Sequence, residues 1–305
     1  MPEPPEEIAE LAERRARARA AKDFREADAI RERIASAGWT IEDEPGGGYT
    51  LTPAEAPEED VRIRAGDVQS VLDEPATADA SVQWVCEGWP EDIERGIESF
   101  RAHAADHRLQ FVVADVSGEP ASRWGDDVEV LRLEQGTGWA AARNAGLRRA
   151  RGRLVLAMDG SIEATGDAIA PLGAALADAS VGACGPFGVV TTDLRQFGDA
   201  PGPGPCDAVE GYLMAFRREI VTEAGFFDEK FTWYRTADIE WSFRVKDAGY
   251  RCEVVDVPVV KHEHRMWFET PPEDRARWSK RNFYRFLDRW RDRWDLVLSG
   301  APDQP

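Results

Sequence analysis

Apolar positions recur along this chain with two different periods, and the change from one to the other divides it. From about residue 6 to 37 the spacing is helical. Phe24, Ala27, Ile30 and Ile34 fall on one face among Ala, Arg and Glu. Lys22-Asp23 interrupts the pattern and predicts a turn between two helices. Trp39 and Ile41, then Tyr49 and Leu51, alternate with polar residues on either side of Gly46-Gly47-Gly48, which predicts a short β-hairpin. Between about 53 and 80 the periodicity gives way to Pro53, Pro57, Pro75 and many acids, as in a linker.

From about 81 onward short apolar runs alternate with helical stretches. Strands are expected over Ser81–Cys86, Leu109–Ala114, Val128–Leu133 and Leu154–Met158, and helices over Pro90–Ala104 and Gly138–Ala150. Such alternation predicts an α/β domain, a mostly parallel sheet flanked by helices, with ligands at the carboxyl ends of its strands. Glu273–Leu298 predicts a long C-terminal helix with Phe283, Phe286, Leu287, Trp290 and Trp294 on one face and arginines and aspartates on the other. Packing against the domain is the plainer reading of that helix; a surface for a membrane-borne acceptor is the sharper one. The expected divisions are 1–52, a helical hairpin with a β-hairpin; 53–80, an acidic linker; and 81–305, the α/β domain with its C-terminal helix.

Composition narrows the function. The 305 residues carry a net charge of -19, which speaks against nucleic acid as the main partner, since phosphate binding needs a basic surface. No run of eighteen apolar residues occurs, and Met1–Glu7 is acidic and proline-rich, unlike a signal peptide; a cytoplasmic protein is expected. Cys86, Cys184, Cys206 and Cys252 form no C-x-x-C and read as reduced thiols.

Four places offer chemistry. Asp115 and Asp159 each end an apolar run, where a carboxylate needs water, a ligand or a metal. Gly136–Gly146 opens a helix with small residues, and glycine lets a backbone approach a ligand at a helix N-terminus. Asp238 and Glu240 are two apart, so on a helix they point to different sides: one can face a cleft while the other caps or pairs with Arg244. His262 and His264 follow the run Val257–Val260.

Taken in order, these pieces resemble the family-two inverting glycosyltransferases of the GT-A fold over roughly residues 81 to 268. Phe111–Gly118 is similar to the family's "VVDNGS" element and Gly138–Gly146 to its "G-x-x-x-A-R-N-x-G" helix. Asp159-Gly160-Ser161 falls at its Asp-x-Asp, Val209–Arg218 with Gly225–Glu229 at its acceptor strand and "GGFDE" segment, and Ala237–Arg244 at "E-D-x-D-x-x-x-R". The resemblance implies a nucleotide diphosphate-sugar donor and an acceptor of unstated identity. It implies Asp238 as catalytic base. Asp115, Gly138, Arg143, Asn144 and Asp159 become nucleotide-binding, and Asp159 with His262 becomes the site for Mg²⁺ or Mn²⁺. The sequence departs at Val85-Cys86-Glu87-Gly88, where the family has Pro-x-Tyr-Asn, at Ser161 in place of the second Asp, and at Ala237 in place of Glu. One carboxylate and one imidazole remain for a metal, with the diphosphate supplying other ligands. A non-catalytic GT-A scaffold is the competing reading. Ile8–Leu51 is similar to the C-terminal helical piece of cysteinyl-tRNA synthetases, with eight acids balancing eight bases over its helices, which implies a module for a protein partner before an RNA binder.

Overall fold

The computed structural model describes residues 4–37, 39–44, 48–53, 61–118 and 124–300. Gly46, Gly47 and Pro57, read from sequence as turn and linker, lie outside the described residues. The chain forms two compact units, Met1–Val61 and Arg62–Pro305.

In the first unit, α1 (Glu6–Ala20) and α2 (Phe24–Ser36) are joined through Lys22, whose φ of 62° turns the chain back. The Asp23 side chain caps α2 by accepting from the Glu26 amide at 3.1 Å. Antiparallel β1 (Trp39–Asp43) and β2 (Tyr49–Pro53) follow. Ile8, Ala12, Ile30, Ile34, Trp39 and Ile41 form the core, at the end of the helix pair away from its turn. Phe24 departs from the expected face: it is 57% exposed. It sits beside the turn, beyond the cover that Trp39 and Ile41 give the other end. Buried Arg15 holds Asp43 with two hydrogen bonds, of 2.8 and 3.0 Å.

The second unit begins earlier than the sequence pattern suggested. Residues 62–80 belong to it, because a backbone bridge ties in exposed Ile63 and most of the other aliphatics are buried. Ile63 bridges to Leu133, and Ala65, Val68 and Val71 are covered. The chain then runs β3 (Ala78–Cys86), α3 (Pro90–Ala102), β4 (Leu109–Asp115), β5 (Val128–Arg132), α4 (Trp139–Arg148), β6 (Gly152–Met158), β7 (Ile162–Ala164), α5 (Ile169–Leu176) and β8 (Val181–Gly185). It continues through β9 (Gly188–Thr191), β10 (Phe197–Asp199), β11 (Gly204–Cys206), β12 (Ala208–Val209), β13 (Leu213–Arg217), α6 (Ile220–Glu223) and α7 (Ala237–Asp247). β14 (Arg251–Val254), β15 (Val259–Lys261), α8 (Arg265–Glu269) and α9 (Pro272–Trp290) complete it.

The central sheet has the order β11-β14-β8-β13-β6-β3-β4-β5. β6, β3, β4 and β5 run parallel, as does the β14–β8 pair, while β13 lies antiparallel between β6 and β8 and β11 antiparallel at the edge. Both faces are covered. Trp84, Ile97, Phe100 and Leu172 pack on one, and Trp139, Leu147, Phe216 and Trp241 on the other. A strand buried on both sides reads as a continuous apolar run rather than as alternation, which is why β4 and β6 were legible in the sequence. β9, β10 and β12 form a small separate sheet, and β15 pairs with β7. Among the described residues no helix is long and apolar enough to cross a membrane. All four cysteines are buried free thiols.

Candidate active site

The strands deliver their carboxyl ends to a cavity of about 290 Å³ lined by Glu87, Arg143, Asp159, Glu210, Asp238 and His264, among others. Asp159 follows the last residue of β6. Its Oδ1 accepts from the Ser161 amide at 2.7 Å, a tight loop that turns the carboxylate inward. His264 Nε2 meets its Oδ2 at 2.7 Å. Burial, the largest single influence, works to raise the Asp159 carboxyl, but the hydrogen bond and charge of His264 and the hydrogen bonds from Ser161 together outweigh it, and the net direction is downward. The His264 ring is held by edge contacts with Tyr234 and Tyr212, at 4.6 and 6.0 Å between centroids.

Arg143, on α4, is buried and lies under this wall. Its guanidinium donates to the carbonyls of Gln83 (2.8 Å) and Met158 (2.7 Å), so one side chain ties the ends of β3 and β6 together. Burial lowers it to about 10, against the opposing pull of Asp159 and Glu87. Glu87, which follows β3, is pushed up to about 8 by burial and by the Asp159 charge.

Asp238 stands in the first turn of α7, after Thr236 in a left-handed conformation of φ 72°. Its Oδ2 accepts from the Gly211 amide at 2.8 Å and its Oδ1 from the Ile239 amide at 2.9 Å. Burial raises its carboxyl despite those bonds. Nearby Glu210 is pushed up to about 7 by burial and by the Asp238 charge. The second acid of α7 takes the other role. Buried Glu240 accepts from Arg244 Nε at 2.8 Å and from Arg289 at 3.2 Å, away from the cavity. Two residues along a helix differ by about 200° in direction, so only one of the pair can enter a given cleft.

Three expected ligand-binding residues do other work here. Asp115 ends β4, is buried, and accepts from the Ser117 amide at 3.0 Å and its hydroxyl at 2.6 Å; it is not among the residues lining the cavity. Gly138 lies against Thr232, where an added Cβ would stand 3.0 Å from the Thr232 methyl. The first amides of α4 are also occupied: Trp139 and Ala140 donate to the carbonyls of Thr232 and Phe231 at 3.2 Å. A helix start whose amides are taken by protein carbonyls offers little to a phosphate. Asn144 bonds both the amide (3.0 Å) and the carbonyl (2.9 Å) of Phe227, and so fixes the Gly225–Glu229 loop.

His262 also stands apart. Its Nε2 pairs with Glu163 Oε2 at 2.6 Å on the exposed side of β15. The histidine beside Asp159 is His264. The resemblance had given that place to His262; the ladder turns it aside, because the His262 amide continues it onto Ser161 and the chain enters α8 only after His264. Among the described residues no three His, Cys, Asp or Glu side chains converge as a metal cage. Asp159 Oδ2 and His264 Nε2, 2.7 Å apart on the cavity wall, are the oxygen and nitrogen donors that a divalent ion could take up in place of their mutual contact. Sequence reasoning missed Glu87 and Glu210, whose signal was an acid directly following or preceding an apolar strand.

The chain was compared with known proteins. Residues 90–240 match the family model "Glycosyl transferase family 2", and residues 1–49 match "Cysteinyl-tRNA ligase anticodon binding domain". The cysteine–tRNA ligase of Opitutus terrae is 52% identical over 52 residues, covering 17% of this chain and 11% of that enzyme. Among solved structures, GalNAc-T7 with UDP, GalNAc and Mn²⁺ superposes with a TM-score of 0.54 at 19% identity, over 72% of this chain and 48% of that one. The mannosyltransferase PcManGT of Pyrobaculum calidifontis, in complex with GDP-Man and Mn²⁺, gives a TM-score of 0.47 at 21% identity, over 66% of this chain and 62% of that one. The chain thus spans about a tenth of the ligase and about half of GalNAc-T7. Its α/β unit contains a glycosyl transferase family 2 domain on the GT-A fold, and its N-terminal unit is similar to the anticodon-binding piece of cysteinyl-tRNA ligases.

Proposed function

We propose that the family 2 domain moves a sugar from a nucleotide diphosphate-sugar to an acceptor hydroxyl with inversion at the anomeric carbon. The observation that carries this reading is the meeting in one cavity of Asp159 with His264 and of Asp238. Asp238 takes the proton of the acceptor hydroxyl as its oxygen attacks the anomeric carbon. Its burial favours the role, because a carboxyl raised toward neutral pH is a stronger base. Its two backbone hydrogen bonds fix its direction without consuming every lone pair. Positive charge builds on the sugar as the bond to the diphosphate breaks. Asp159 and His264 would hold a divalent ion together with the diphosphate, and such an ion neutralises the leaving group. The similar fold of GalNAc-T7, solved with UDP and Mn²⁺, supports the donor side of this reading.

Thermal shift against UDP-, GDP- and dTDP-sugars, with and without Mn²⁺, tests donor binding. Turnover of the best donor then tests chemistry. Asp238→Asn is expected to lower transfer by at least about 100-fold while keeping the donor-induced shift. An unchanged turnover removes Asp238 from the mechanism. No shift with any donor favours a non-catalytic scaffold, the reading that Ser161 and Ala237 motivate. We read the N-terminal unit as a module for a protein partner.

A further inference from the structure

Transfer as proposed above needs the His264 ring to keep its direction, and the usual means is not used. A histidine that serves through one ring nitrogen is ordinarily fixed by a hydrogen bond from the other. Nδ1 of His264 is buried and has no hydrogen-bond partner among the described residues. Aromatic walls stand in that bond's place. The Tyr234 ring meets the imidazole at a right angle or nearly so, with centroids 4.6 Å apart and planes at 82°. Tyr212 lies farther off, at 6.0 Å and 88°. Tyr234 is the nearer wall, and its backbone is fixed from outside the cavity.

That fixing comes from α9. Asn282 is fully buried on the helix's inner face. Its Nδ2 donates to the carbonyls of Trp233 and Arg235, at 2.8 and 2.9 Å, and so holds the chain on both sides of Tyr234. The Tyr234 carbonyl accepts from the Ala237 amide at 3.1 Å, at the start of α7. The rings are braced in the same direction: Trp233 packs on Tyr234 at 4.7 Å, and Trp278 of α9 on Trp233 at 4.9 Å. Oδ1 of Asn282 stays buried with no partner among the described residues. A buried polar atom left so is a cost, and here it accompanies an amide that spends its donors on this loop.

We propose, on the reading of Asp159 and His264 as holders of the diphosphate and its ion, that Tyr234 is a positioning residue for His264, set by Asn282, and that α9 serves the reaction through this path. The same loop leads through Thr236 into α7 and Asp238. Asp238 has its own bonds to the Gly211 and Ile239 amides, so a loosened Tyr234 acts on His264 first.

Two measurements on the full chain test this. The first needs neither metal nor donor: modification of His264 by diethyl pyrocarbonate, followed by mass spectrometry of its peptide. Tyr234→Leu and Asn282→Ala should free the ring and speed its modification. Tyr234→Phe keeps the aromatic wall and should protect it as in the parent. The second measurement is the gain in UDP or GDP affinity on adding Mn²⁺. Tyr234→Leu and Asn282→Ala should lower that gain about ten-fold, the scale of losing a group that orients a metal ligand. Affinity for nucleotide alone should change little, and Tyr234→Phe should match the parent. A general loss of structure would lower both affinities together, so the Mn²⁺-dependent part separates positioning from stability. If Asn282→Ala does not fold, Tyr234→Leu, at a half-buried position, carries both measurements. The proposal is overturned by a His264 modified no faster in Tyr234→Leu than in the parent, by a Tyr234→Phe as damaging as Tyr234→Leu, or by a Mn²⁺ gain that His264→Ala loses and Tyr234→Leu keeps. A gain that His264→Ala also keeps overturns the reading of the ion and the consequence drawn from it, while the modification rates still decide whether Tyr234 holds the ring.

Discussion

Nε2 of His264 lies 2.7 Å from Oδ2 of Asp159, whereas His262, two residues earlier, spends its ring on Glu163. The two histidines therefore differ in what their loss removes. His264→Ala should lower donor turnover by at least about 100-fold, the scale of losing one group that stabilises charge at a reacting centre. His262→Ala should change it by less than about three-fold, since an exposed pair contributes little. Steady-state turnover of the donor in Mn²⁺ compares the two. A more damaging His262 variant would reverse the assignment.

Two acids of the cavity make a prediction about pH. Burial raises Glu87 to about 8 and Glu210 to about 7, from an ordinary value of 4.5. Between pH 4.5 and those values the fold keeps protons that the unfolded chain has released, so stability falls as pH rises through this window. A glutamine resembles the protonated form. Glu87→Gln and Glu210→Gln should thus raise the melting temperature near pH 9, by roughly a few degrees, and leave it unchanged near pH 4.5. Equal effects at both pH values would show that burial does not keep these groups neutral.

Gly138 separates packing from ligand binding. An added Cβ would press on Thr232 at 3.0 to 3.1 Å from three of its atoms, including Cα. Gly138→Ala should cost about 1–3 kcal/mol in urea unfolding, the scale of overpacking. Donor affinity measured on the folded fraction should change little. A large loss of affinity at unchanged stability would return this residue to the nucleotide.

Asn144 makes a related case. Its side chain satisfies both backbone groups of buried Phe227. Asn144→Ala leaves an amide and a carbonyl without partners, at about 1–3 kcal/mol each. Chemical denaturation should show a loss of about 3 kcal/mol, and amide exchange should rise first in residues 225–229. Protection of that loop unchanged from the parent would remove the argument.

The sequence was most legible where burial is two-sided or strictly periodic. β4 and β6 are near-continuous apolar runs, and α9 carries its buried positions at helical spacing. Asp159 and Asp238 were findable because each carboxylate interrupts a pattern at an element's end. Phe24 shows the limit of periodicity: its position on the apolar face is real, but the cover lies at the other end of the helix pair. The segment from 62 to 80 shows the converse, since a few spaced aliphatics in a polar, proline-bearing stretch were enough to tie it to the larger unit.

Local sequence determined the N-terminal helices and hairpin, the first strands and helices of the larger unit, the α/β class and the acids that could serve chemistry, because hydrophobic spacing and chain-end carboxylates are properties of neighbours along the chain. Only the tertiary structure decided which of these residues share a cavity. It turned His264 inward and left His262 outside, took the α4 amides for Phe231 and Thr232, and folded Asp115 back onto Ser117. Those outcomes depend on strand register and on contacts between residues far apart in sequence, where a shift of one or two positions reverses the direction in which a side chain points.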